Sequence, residues 1–268
     1  MPTLPDLLVI LLIGLAGGIA GGLLGIGGSI VMIPLLTLTR GPNQHLYQAA
    51  SMVVNVVVAI GSSRRHYKAG SVRGDHFRWM FPAAGVMIVV GVLLGNLVPT
   101  ESLKRIFAAF LLYTAVTECI RTLSDHPEPE PHELVVHTGR SLTIGGLTGL
   151  IAGLLGVGGG TVAVPLLRRM ARLPLRQAIG TSAAAMTLAS TIGATAKNAT
   201  IGSLHAPDGT SLTLGMSLGL AALLSGPALV GAHLGASLTY RLSLRAVRLA
   251  FVVLLAVAGL RMMGWLGA

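Results

Sequence analysis

Two stretches of this 268-residue chain could hold a charged guest without any charged side chain. They are Gly25-Ile26-Gly27-Gly28-Ser29 and Gly156-Val157-Gly158-Gly159-Gly160, each set between long apolar runs. Glycine is a poor helix former, and two in succession cost about 2 kcal/mol against alanine. Each stretch is therefore expected to end one helix and start another. The starting helix exposes unpaired N–H groups and the positive end of its macrodipole. Such an end binds anions. A mere packing kink is the alternative, but a motif kept twice at a cost to helix stability favours a site.

Side chains that could assist are few. Ser29 and Thr161 open the helices that follow the breaks. Asn55 is central in the next apolar segment, and Thr181 and Ser182 sit early in the corresponding segment of the second half. Lys197 is the only Lys or Arg between Arg176 and Arg241. It could neutralise an anion or snorkel to an interface. The candidate substrate-binding set is thus Gly27, Gly28, Ser29, Asn55, Gly158, Gly159, Gly160, Thr161, Thr181, Ser182 and Lys197. His233 could relay protons, although helix packing explains it as well.

No catalytic residue, cofactor or metal is expected. One cysteine, Cys119, excludes an intrachain disulfide and a cysteine-rich metal site. The spacing of His126, His132 and His137 fits no standard metal site. Walker, HExxH and Gly-x-Ser-x-Gly motifs are absent from the sequence. An enzyme reading therefore has no support.

The elements that must position these groups are set by lipid. Hydrophobic residues make up 53% of the chain and charged residues 10%, against about 25% charged in a soluble domain. Asp6 to Arg40 encloses 33 residues without Asp, Glu, Lys or Arg, Arg140 to Arg168 encloses 27, and Asp208 to Arg241 encloses 32. A membrane span needs about 20 apolar residues. The chain reads as an all-α polytopic membrane protein with helices over 4–24, 29–39, 46–63, 78–98, 102–122, 140–156, 160–170, 175–197, 211–239 and 243–266. The net charge of +10 belongs to short loops between spans rather than to a nucleic-acid surface.

The chain is also an internal duplication. Residues 18–36 align with 149–167 at an offset of 131, with 11 of 19 positions identical. Residues 1–123 and 139–268 are the two copies, joined by an acidic, proline-rich linker at 124–138. If each broken segment crosses the membrane once, the 19 basic residues divide nine and ten between the sides. If each is a re-entrant hairpin they divide 14 and five, which the positive-inside bias favours. Basic residues also swap between equivalent loops: Arg64, Arg65, Lys68 and Arg73 in copy one, Arg168, Arg169, Arg172 and Arg176 one loop earlier in copy two. The expected fold is two inverted repeats, each a glycine-broken re-entrant hairpin plus three spans, with both termini outside.

The doubled Gly-x-Gly-Gly-(Gly/Ser)-x-x-x-x-Pro-Leu-Leu blocks at 25–36 and 156–167 resemble the TauE/SafE sulfite-exporter family of membrane permeases. Gln177-Ala178-Ile179-Gly180-Thr181-Ser182 and Lys68-Ala69-Gly70-Ser71-Val72 resemble further segments of that family. Copy one departs from its pattern at Ser29 and at Ala50-Ser51-Met52. The resemblance implies a permease of a prokaryotic inner membrane that moves small, often sulfur-containing anions such as sulfite or sulfoacetate. The expected mechanism is alternating access around an anion held at the two broken-helix N-termini. No span carries paired carboxylates, so protons are the expected coupling ion, and a homo-oligomer is compatible with the chain. An anion channel and a non-transporting membrane scaffold are the alternative readings.

Overall fold

A computed structural model describes residues 4–24, 27–123, 137–238 and 244–265. The linker at 124–136, the loop carrying Arg241, and Gly25-Ile26 of the first break lie outside the described residues. Among the described residues ten α-helices run in chain order: α1 Leu4–Leu24, α2 Ser29–Arg40, α3 Gln44–Lys68, α4 Gly74–Leu97, α5 Thr100–Leu123, α6 Thr138–Leu155, α7 Gly160–Met170, α8 Leu175–Ala199, α9 Leu214–Leu238 and α10 Leu244–Met263. All ten helices expected from the sequence are present. The largest differences lie at polar ends. α3 runs past its apolar stretch into a basic segment and α4 starts four residues early, at Gly74, because a helix does not stop where the hydrocarbon does. α9 starts three residues later than expected. The preceding loop is a turn at Gly209 (φ +82°) closed by a bridge between His205 and Ser211.

The surface is apolar and the interior is partly polar, the reverse of a soluble globule. Leu4, Leu8 and Leu12 of α1, Val86, Val90 and Leu97 of α4, and Tyr113, Val116 and Ile120 of α5 are exposed. Ser29, Gln48, Asn55, His76, Ser182 and Lys197 are buried. Among the described residues four helices, over Leu4–Leu23, Gly74–Leu97, Thr100–Leu123 and Leu214–Gly235, are long and apolar enough to cross a membrane. At 1.5 Å per residue, the 24 residues of α4 and of α5 reach past a hydrocarbon core about 30 Å thick.

Glycine decides which helices meet. A Cβ on Gly14, Gly18 or Gly22 of α1 would press on the carbonyls of Leu224, Ala228 and Ala232 in α9. A Cβ on Gly231 or Gly235 of α9 would meet those of Leu15 and Ile19. On α6, Gly145, Gly149 and Gly153 bear the same relation to Met80, Ala84 and Ile88 of α4. Backbones approach this closely only where side chains are absent. The first helix of each half therefore packs on the fourth helix of the other half. α3 and α8 meet between these pairs, and α5 packs on α10.

The outer ends of the two helices flanking each break are joined. Asp6 near the start of α1 pairs with Arg40 at the end of α2 (2.8 Å). Arg140 near the start of α6 donates to the carbonyl of Met170 at the end of α7 (3.3 Å). The short arm α2 is buried over almost its whole length, with Ile30, Ile33 and Leu36 in one cluster with Leu103, Phe107 and Leu111 of α5 and Phe251 and Leu255 of α10.

Candidate functional site

The two breaks end their first helices and begin their second ones where the sequence places them. α6 stops at a left-handed cap, Gly156 (φ +70°), whose N–H returns to Ala152 O. In that conformation a side chain is strained. A Cβ there would also press on Gln48, whose Nε2 donates to Leu154 O at the end of α6 (3.3 Å). Gly27 takes a positive φ as well (+84°), and a Cβ on it would lie 3.1 Å from the Gly158 Cα. The two breaks thus touch each other.

Ser29 ties them together. Its Oγ accepts from the Gly158 N–H (2.8 Å) and from Asn55 Nδ2 (2.9 Å), while Asn55 Oδ1 accepts from the Ser29 N–H (3.4 Å). Both Ser29 lone pairs are engaged, and its hydroxyl hydrogen is the donor left over. Copy two has no such clasp. Gly160 stands at the position of Ser29, and Met186 at the position of Asn55. Among the described residues the N–H groups of Gly159 and Gly160 have no hydrogen-bond partner. The hydrogen bonds of α7 begin with Thr161, whose N–H and Oγ1 both reach Gly158 O.

Beside this junction is a cavity of about 40 Å³, lined by Gly27, Asn55, Gly158, Gly159, Gly160 and Ser182 of the expected set. That is room for about three water-sized spheres, which suits a small ion. Gly21, Val58, Ala59, Ala183, Met186 and Ser190 complete the wall. No lining side chain carries a charge. The positive field comes from the first turns of α2 and α7. Ser182 Oγ is buried and lacks a partner within the described residues, so a donor is available beside the uncommitted amides.

The other expected site residues lie outside the lining. Gly28 packs under α1, where its Cβ would sit 2.8 Å from Gly17 O. Ser29 and Thr161 shape the junction from behind. Thr181 Oγ1 accepts from the Arg73 N–H (2.9 Å) and so fixes the loop before α4. A hydrogen bond to Asp75 raises the Arg73 guanidinium above its ordinary value. Lys197 is fully buried near the other end of α8. It donates to Asn96 Oδ1 (2.6 Å) and lies 3.2 Å from His45 Nδ1.

The sequence reading missed Ser190 and Met186. Their signal is the spacing of Ser182, Met186 and Ser190, four residues apart on one face of α8. Asn55 and Ala59 occupy the equivalent positions on α3 at the 131-residue offset.

Comparison with known proteins points the same way. The profile of the family described as Sulfite exporter TauE/SafE matches residues 10–262. A probable membrane transporter protein of Haemophilus influenzae is 32% identical over 66% of this chain and 68% of its own length. One from Methanocaldococcus jannaschii is 28% identical over 95% of this chain and 94% of its own. The probable membrane transporter protein MamO of Paramagnetospirillum magneticum is 23% identical over 97% of this chain, which spans 45% of that longer protein. No solved structure matches.

Proposed function

Given that the chain belongs to the TauE/SafE sulfite exporter family of membrane transporters, not enzymes, we propose that it is a secondary transporter for small anions. The proposed substrates are sulfur-containing, sulfite or a sulfonate such as sulfoacetate. The observation that carries this reading is the cavity between two opposed helix starts, where the Gly159 and Gly160 amides and the Ser182 hydroxyl have no partner within the described residues. An anion seated there would accept from those amides and from Ser182. Asn55 holds Ser29 in place. Because Asn55 already takes the Ser29 N–H of break one, the anion binds chiefly to break two.

The proposed frame is two inverted repeats, 1–123 and 139–268, joined by the linker at 124–138. Each contributes a re-entrant hairpin and three spans in a cell inner membrane. The Asp6–Arg40 pair and the Arg140–Met170 bond support the hairpins, since each joins the two outer ends of a broken segment. The crosswise glycine packing of α1 on α9 and of α6 on α4 supports a two-fold relation between the repeats. Alternating access follows if one repeat rocks against the other around the fixed junction.

The test is thermal unfolding of the purified chain with sulfite, sulfoacetate, sulfate and a carboxylate control, paired with flux in proteoliposomes. Stabilisation by a sulfur anion together with saturable flux is expected. Lack of stabilisation by every anion would point to a scaffold, and flux at millions of ions per second would point to a channel.

A further inference from the structure

The buried cluster around Lys197 is not used by the anion site. Lys197 and His45 are 0% and 4% exposed, and the ammonium has two partners, an amide oxygen and an imidazole nitrogen. No ion pair joins Lys197 to a carboxylate among the described residues. A lysine buried without a counter-ion bears a large desolvation penalty when charged. Such a group tends to give up its proton, or to keep it when an anion is near.

Position supplies the anion. Lys197 follows Ser190 of the cavity wall by seven residues, two turns on the same face of α8, about 10 Å along the helix. Between them the wall is apolar: a Cβ on Gly193 would meet Ile88 and Met52. No solvated charge intervenes on that face to screen one site from the other.

Neighbours on every side leave the proton few places to go. α3 contributes His45, whose Nδ1 faces the Lys197 ammonium. α4 contributes Asn96, whose Nδ2 donates to Thr200 Oγ1 (2.8 Å) and thereby turns its oxygen toward Lys197. The loop after α8 packs Ile201, Leu204 and Leu212 against Ala49, with His205 and Asp208 of that loop exposed. Among the described residues His45 is the titratable side chain in contact with Lys197.

We infer that Lys197 and His45 form the proton-coupling pair of this transporter, Lys197 taking up one proton as the anion enters the cavity and giving it up through His45 as the anion leaves. Uptake forms one N–H bond at Nζ; on release that bond breaks as one forms at His45 Nδ1, and the imidazole gives up its Nε2 proton to water. The inference rests on the anion-transport reading and adds the ion that drives it.

Proteoliposomes of the full chain, loaded with a pH dye, test it. The probes are radiolabelled sulfoacetate and thiosulfate, whose charges do not change near neutral pH. Wild type is expected to accumulate a probe toward the alkaline side and to carry protons with it. Lys197→Arg, with a fixed charge, should lose accumulation driven by the pH gradient while probe-for-probe exchange falls by less than about tenfold. Lys197→Met should weaken probe affinity about fourfold, the size of one charge acting over about 20 Å, the helix rise from Ser182 to Lys197, at an effective dielectric near 20.

Wild-type exchange that ignores the pH gradient, or Lys197→Arg that still follows it, overturns the coupling role and leaves the transport reading standing. Failure of wild type to bind or exchange either probe overturns both. If Lys197→Arg does not fold, the wild-type dye signal decides, and probe entry without proton entry refutes the pair.

Discussion

Replacing Ser29 with alanine tests the clasp between the two breaks. The hydroxyl oxygen accepts two hydrogen bonds, at 2.8 Å from the Gly158 N–H and 2.9 Å from Asn55 Nδ2, and Ser29 is fully buried. Alanine fits the space but leaves both donors without that acceptor. A buried donor left unsatisfied costs about 1–3 kcal/mol. Asn55 keeps its bond from the Ser29 N–H, and water in the adjoining cavity can partly solvate the Gly158 amide. The expected loss is therefore about 2–4 kcal/mol, a factor of about thirty to several hundred in the unfolding equilibrium. Reversible unfolding in mixed detergent micelles, followed by helix content, measures it. Asn55→Leu provides the second arm of a double-mutant cycle, and the pair should couple by more than about 1 kcal/mol. Loss below about 0.5 kcal/mol for Ser29→Ala, or strict additivity with Asn55→Leu, would mean that the clasp does not hold the breaks together.

Gly159→Ala places a methyl group on the Met186 sulfur and should abolish anion-induced stabilisation; Gly159→Ala with Met186→Ala should recover part of it, as read by thermal shift. Gly18→Val would drive a side chain into the Ala228 backbone and should cost about 3 kcal/mol or more, whereas Gly219→Ala on α9 meets nothing within 4 Å and should change stability by less than about 1 kcal/mol. Fluorescence-detected gel filtration after heating ranks the two. In a chain with Cys119→Ser, cysteine at Arg172 should label from the cytoplasmic face and cysteine at Gly41 from the opposite face, and labelling of both from one face would refute the inverted threading.

Much of the fold was legible because lipid writes simple rules into sequence. Charge-free stretches locate helices, and paired glycines locate breaks. Helix ends were less legible: the basic segment at the end of α3 stays helical although nothing in its hydropathy requires it. The site was legible where backbone forms it. Gly27, Gly158, Gly159 and Gly160 were marked by helix-breaking cost alone, and they line the cavity. The residues facing them across α3 and α8 were harder to find. Met186 and Ser190 have ordinary types for a membrane helix, and only the partner repeat gives their positions meaning. Thr181 and Lys197 lie outside the cavity lining. Their polarity singled them out, but one fixes the Arg73 loop and the other bonds Asn96, and no local pattern tells such roles from ligand binding.

The difference between the copies gives the duplicated motif its use. Two identical open helix starts facing each other would leave several buried amides unsatisfied whenever the guest is absent, at a cost that repeats in every cycle. With Ser29 and Asn55, copy one pairs the Ser29 N–H of its own helix start and one amide of copy two. Copy two, with Gly160 and Met186, keeps Gly159 and Gly160 uncommitted. The resting cost is lower at break one, and the soft Met186 thioether covers break two without competing as a strong acceptor. An anion gains those amides and displaces only a flexible side chain. Converting Gly160 to serine would test this division: it would supply break two with its own hydroxyl, so sulfite or sulfoacetate should bind more weakly while the unliganded chain resists heat at least as well as before.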